Sequence, residues 1–141
     1  MNTYNTLCLM TLFLLANTAY ATTCPEVSKI EQKPMVGGGF SYTAAGPDGN
    51  EWVGGDKWTE KNDLSSYVFT SVRLQKASFD PVTKKSKDSA VICRYEGTGE
   101  NSRDGEANTV MVLKTGKALL PVEGNWTVDC QAKEPSGCTF N

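Results

Sequence analysis

Apolar and polar positions alternate along much of this chain from residue 40 onward, the period of two that marks strands with one buried face. Phe40, Tyr42 and Ala44 alternate with small or polar residues. Gly46-Pro47-Asp48-Gly49-Asn50 follows, turn chemistry in which Pro presets φ and Gly supplies a positive φ. Glu51 to Val53 then returns, so residues 40–53 are expected to form a hairpin. From Tyr67, β-branched and aromatic residues dominate; Val68, Thr70, Val72 and Leu74 share one face, Arg73 and Gln75 the other. The phase shifts near Ala77 and Phe79, which predicts a bulge there. Asp80-Pro81 opens a turn, residues 82–88 make a solvated hairpin tip, and Ala90 to Tyr95 is the returning strand. Further strands are expected at Thr109 to Lys114, at Ala118 to Val122 (cut short by Pro121) and at Trp126 to Cys130.

No segment carries a sustained i, i+3, i+4, i+7 apolar stripe. The expected fold is therefore all-β: an antiparallel meander of about six to eight short strands forming a small barrel or sandwich, disulfide-stabilised.

The chain's start follows a different pattern. Residues 7–15 are an apolar run, and Ala19-Tyr20-Ala21 is a small-x-small cleavage pattern. Residues 1–21 therefore read as a signal peptide cut after Ala21, and residues 22–141 as a single β-rich mature domain. The run is too short to span a ~30 Å hydrocarbon core, which takes about 20 helical residues. Met1 to Thr6 holds no Lys or Arg, so only the α-amino group supplies positive charge there. Neither Ala21-Thr22-Thr23 before Cys24 nor Asn5-Thr6-Leu7 before Cys8 has the small-residue motif that precedes an acylated cysteine. No second apolar run follows, so no membrane anchor is expected. The expected product is soluble, in the periplasm or the extracellular medium.

Charge and composition narrow the function. The chain has 14 basic and 16 acidic residues, a net charge of −2. Near balance argues against a nucleic-acid partner, which needs a basic excess or stripe. It also argues against electrostatic docking to anionic lipid. There is no histidine. That removes Ser-His-Asp and Cys-His catalysis and most zinc sites. No cofactor or metal is expected.

Of the five cysteines, Cys8 leaves with the signal. Cys24, Cys93, Cys130 and Cys138 remain, an even number that reads as two disulfides in an exported domain. Alternation points Cys93 inward with Val91 and Tyr95, and Cys130 inward with Trp126 and Val128. That favours Cys93–Cys130, leaving Cys24–Cys138 to tie the ends. Cys24–Cys93 with Cys130–Cys138 is the sterically reasonable alternative.

Trp52 and Trp126 sit in expected strands and read as core. Trp58 differs: it lies in the polar run Gly55-Asp56-Lys57-Trp58-Thr59-Glu60, and an exposed Trp there is a candidate binding anchor. The plainer alternative is a loop Trp folded back as a lid. In residues 96–108, Glu96, Glu100, Asp104 and Glu106 invite a calcium reading, but their offsets do not match a D-x-[DN]-x-[DN]-G loop, so the segment reads as solvated. Lys84, Lys85 and Lys87 form a short basic tip. It suits an acidic partner, or more plainly serves as a solvated guard against edge pairing.

The landmarks Cys24-Pro25, Glu51-Trp52, Cys93-Arg94-Tyr95, Trp126 to Cys130 and Cys138-Thr139-Phe140 resemble a family of small exported Gram-negative (Legionella-type) bacterial proteins known only as a domain of unknown function. That family often closes with Cys-Pro-Phe, where this chain has Thr139 in the middle. The resemblance implies a periplasmic or secreted location and a β-rich fold, and it brings no catalytic residues. The expected function is a small binding or inhibitor-like module, a monomer whose partner is a protein or glycan of the envelope or extracellular space. One alternative is a histidine- and metal-independent hydrolase, built on two carboxylates converging in a pocket with at least one pKa raised. Another is a structural envelope component.

Overall fold

The computed structural model describes residues 21–97 and 108–141. The expected export signal, apart from Ala21, lies outside the described residues. So do residues 98–107, with Glu100, Asp104 and Glu106 of the acidic loop.

Seven antiparallel strands form the main sheet. Its spatial order runs β1 (Glu31–Pro34), β2 (Phe40–Ala45), β3 (Glu51–Asp56), β8 (Asn108–Lys114), β7 (Ala90–Gly97), β4 (Tyr67–Gln75) and β10 (Asp129–Gln131). A one-turn helix, α1 (Asp63–Ser66), leads into β4. Two small ribbons complete the chain: β5 (Ser78–Asp80) with β6 (Lys85–Lys87), and β9 (Pro121–Glu123) with β11 (Thr139–Phe140). The all-β antiparallel expectation holds. Alternation places the core as read: Val91, Cys93 and Tyr95 are buried, as are Met111 and Leu113 beside them on β8.

The sheet is rolled. Laid flat, β2 and β4 would stand four strand spacings apart, about 19 Å. Yet the Tyr42 and Tyr67 rings meet edge to face with centroids 6.0 Å apart. β1 and β10 remain the edges of this sheet, so it is an open roll and not a closed barrel. The N-terminal segment fills the concave side: Cys24 and Ile30 are buried, and the Tyr95 hydroxyl donates to the Pro25 carbonyl. Thr22 and Phe140 exchange backbone hydrogen bonds of 2.7 and 3.0 Å, which joins the two ends of residues 22–141.

The structure corrects the favoured disulfide pairing. Cys24 bonds Cys93 and Cys130 bonds Cys138, with Cα separations of 5.9 and 6.0 Å; Cys24–Cys138 and Cys93–Cys130 are not formed. The reason lies in the register. Val72 of β4 pairs with Cys93 on one side and Cys130 on the other. The two cysteines do point inward, but they stand two strand spacings apart, about 10 Å, beyond the ~7 Å a disulfide can bridge. Cys93 is met instead by the N-terminal segment lying over the sheet.

Three local expectations change as well. The β4 register shifts between Phe69 and Ser71, so the extra residue is Thr70 and not a residue near Ala77. One extra residue flips the face: Tyr67 and Phe69 are buried before it and Val72 after it, while Val68 faces out. The expected strand Trp126 to Cys130 is a tight loop closed by a Trp126–Cys130 bridge, and Val128 is exposed at its tip. The strand expected at Ala118 begins at Pro121, since proline, lacking an N–H, fits the first position of an edge strand.

Candidate functional site

Trp58 leaves the sheet two residues beyond the end of β3, in a loop held at three points. The Asp56 carboxylate Oδ1 accepts hydrogen bonds from the N–H groups of Trp58 (2.8 Å) and Thr59 (3.1 Å). Thr59 Oγ1 accepts from the Phe40 N–H at 2.7 Å, and the hydroxyl donates to the Asp56 carbonyl at 2.8 Å. Asp63 Oδ2 accepts from the Glu60 N–H at 2.8 Å. Thr59 and Asp63 are both buried. From below, Gly39 packs its backbone on this loop: at φ +72°, a Cβ there would lie 2.0 Å from the Asp56 carbonyl oxygen. Only glycine takes that position without strain.

The loop is locked, yet the indole it carries is 75% exposed. The Lys57 ammonium sits 4.6 Å from the ring centroid, a cation–π contact. Val36, on the adjoining β1–β2 turn, is fully exposed at the same end of the sheet. Trp58 is therefore exposed at the surface and not folded back as a lid.

A cleft opens on the outer face beside this loop. The β3–β8 ladder consists of Val53↔Val112 and Gly54↔Met111, whereas β2–β3 pairing continues to Asp56. Beyond Gly54 the strands diverge, with Gly55 turning the chain at φ +80°. The resulting open depression, about 720 Å³, has an apolar floor of Val53, Val110 and Val112. Asp56, Glu96, Arg94 and Lys114 line it as well. Asp56 and Glu96 flank β8, on strands two spacings apart. Asp56 has already committed one oxygen to two backbone N–H groups of the Trp58 loop.

Buried tyrosines lie under the same end. Burial pushes Tyr42 upward, with the Tyr67 side chain opposing. Burial, then the nearby Tyr42 hydroxyl and the carboxylates of Asp63 and Asp56, push Tyr67 upward. The two hydroxyls lie close enough to affect each other's ionisation. Neither completes a hydrogen bond, by distance and angle, with a described residue.

Arg73 makes a two-pronged contact with Asp129 (2.6 and 3.1 Å), and Arg94 adds a longer one at 3.5 Å. This pairing pins the short β10 to β4 and holds the Asp129 carboxyl below its usual range. Asp80 is also held low, by the N–H groups of Val82 and Thr83. Lys84, Lys85 and Lys87 stand at the opposite end of the molecule from Trp58, on β6 and its turn. Among the described residues, no group of three or more Cys, Asp or Glu side chains is placed to share a metal ion.

The sequence missed Asp56 and Thr59 as the holders of Trp58. Their signal was present: Asp-x-x-Thr is the side-chain-to-backbone turn pattern that competes with regular structure. No sequence signal marked the cleft, because a strand divergence belongs to two segments far apart in the chain.

No family model, curated protein or solved structure matches this chain. The two disulfides fit an oxidising, extracytoplasmic environment. No helix among the described residues is long and apolar enough to cross a membrane.

Proposed function

We propose that this chain is an exported binding module of inhibitor-like anatomy, docking on a protein or glycan surface of the envelope or extracellular space through Trp58 and the cleft beside it. One observation carries the reading: an indole three-quarters exposed on a loop that five hydrogen bonds hold in place. Large aromatic side chains are the commonest binding anchors, and a pre-fixed one loses little entropy on docking. The apolar floor with charged groups around it is the usual composition of a polypeptide- or glycan-binding surface. Export by a signal peptide cut after Ala21 accords with the two disulfides, which form where thiols are oxidised.

The test compares the exported protein with Trp58→Ala in pull-downs from envelope fractions and culture medium. A partner held by the parent and lost by Trp58→Ala, with both proteins unfolding at the same temperature, supports the reading. Equal retention by both would remove Trp58 from the interface. Mass spectrometry of the exported product checks the compartment: it should begin at Thr22 and weigh four hydrogens less than the fully reduced chain.

A further inference from the structure

The end of the molecule opposite Trp58 carries a second feature that the binding reading does not use. Residues 76–89 leave β4, form the β5–β6 ribbon and return into β7. β5 and β6 pair only with each other, and every residue in both is exposed. Within this ribbon Phe79 is 63% exposed, and Val82, in its turn, 87%. The same segment holds Lys76, Lys84, Lys85 and Lys87, against Asp80 and Asp88. A chain of net charge −2 thus carries a local excess of two positive charges here.

A two-stranded ribbon is marginal by itself in water, and this one is braced at both ends. At the base, Ser89 is buried and its hydroxyl accepts from the Ala77 N–H at 3.2 Å, while Gln75 Nε2 donates to the Asp88 carbonyl at 2.8 Å. At the tip, Asp80 Oδ1 accepts from Val82 N–H at 2.9 Å, and Lys84 closes the turn at φ +58°. Its register puts Phe79 opposite Ser86, and Asp80 opposite Lys85. Strand alternation therefore sends Phe79 to one face and Lys85 and Lys87 to the other.

β4 is an interior strand, flanked by β7 and β10, so these lysines do not guard an edge of the main sheet. Phe79 and Val82 contribute nothing to the core. A braced, projecting ribbon that holds a phenyl group and a valine in water, with lysines at its turn and on its opposite face, has the composition of an interfacial insertion element. Apolar side chains enter the acyl boundary while lysine stems reach back to the headgroups.

We propose that the β5–β6 ribbon docks on an anionic lipid bilayer surface, with Phe79 and Val82 entering the interface and Lys84, Lys85 and Lys87 contacting the headgroups. An acidic polymer would engage the lysines and leave Phe79 idle; a bilayer uses both. The chain's near-balanced total charge does not oppose this, because the attraction falls off within about a Debye length and so reads only the nearest charges. Each lysine near such a surface multiplies the partition by about fivefold. The proposal is independent of the Trp58 reading, since the two features lie at opposite ends of the sheet.

The test is co-sedimentation of the exported, oxidised protein with vesicles of phosphatidylglycerol and phosphatidylcholine in equal parts, against vesicles of phosphatidylcholine alone. Binding to the anionic vesicles only, weakening as salt is added, is expected. Phe79→Ser should reduce it about fivefold and Lys84→Gln/Lys85→Gln/Lys87→Gln by more than tenfold, with thermal unfolding unchanged because these residues are exposed. Trp58→Ala should leave it intact. Failure to bind the anionic vesicles overturns the proposal. So does binding that ignores Phe79→Ser while following the lysine variant, which would assign the ribbon to an acidic polymer such as heparin.

Discussion

Two buried tyrosines with different hydrogen bonding give opposite expectations for the same substitution. The Tyr95 hydroxyl, fully buried, donates to the Pro25 carbonyl and so ties the N-terminal segment to the sheet. Tyr95→Phe leaves that carbonyl without its partner and should lower unfolding free energy by about 1–2 kcal/mol, measured by urea denaturation. The Tyr67 hydroxyl is buried beside the Tyr42 hydroxyl, in a contact that lacks good hydrogen-bond geometry. Tyr67→Phe deletes a desolvated group whose one polar neighbour is poorly aligned, and it should be neutral or slightly stabilising. A large loss from Tyr67→Phe would show that the hydroxyl is satisfied after all. Nothing in the residue pattern separates the two: each is an aromatic at an inward position of a strand, and the difference is which backbone lies opposite.

At the scale of elements, the two disulfides hold different things. Cys24–Cys93 spans 69 positions and fixes the segment that fills the roll; Cys130–Cys138 spans 8 and closes a loop after β10. In the chain-entropy model these loops are worth about 4 and about 2.5 kcal/mol. Cys24→Ala/Cys93→Ala should therefore destabilise more than Cys130→Ala/Cys138→Ala, as read from denaturant midpoints. β10 has a second, pH-dependent attachment. Asp129 sits below its usual range when folded, chiefly through Arg73, so the pairing stabilises the fold above the unfolded value and is withdrawn as pH falls. The parent should lose stability on acidification below about pH 4, and Asp129→Asn should flatten that dependence. Strand existence was legible here: β2, β3, β7 and β8 follow the alternation. The β4 phase was not, since the bulge at Thr70 answers to the register against β7 and not to any property of Thr70 itself.

For the whole molecule, the rolled sheet buries every tyrosine of residues 22–141: Tyr42, Tyr67 and Tyr95. Burial pushes all three upward. A phenol whose folded value is raised is neutral in the fold and ionises more readily once unfolded. Stability is thus retained below the unfolded value and falls as pH rises beyond about 10. Phenolate absorbance of the exported protein should rise in one cooperative step with alkaline unfolding. The same roll sets two exposed features apart: Trp58 and Val36 beyond one end of the strands, the lysine ribbon beyond the other.

What the residues determined by themselves is local. Side-chain alternation fixed the strand class, turn residues fixed most connections, and the even number of cysteines after Ala21 fixed a disulfide-tied domain. These follow from the period of the strand and the chemistry of the turn, which are properties of a few neighbouring residues. Tertiary structure decided which cysteines meet, that Trp58 stands exposed, and that the sheet stays open. Each of these depends on distances across the sheet. Cys93 and Cys130 face the same way yet stand on either side of Val72, too far apart to bond, and no pattern within either strand records that separation.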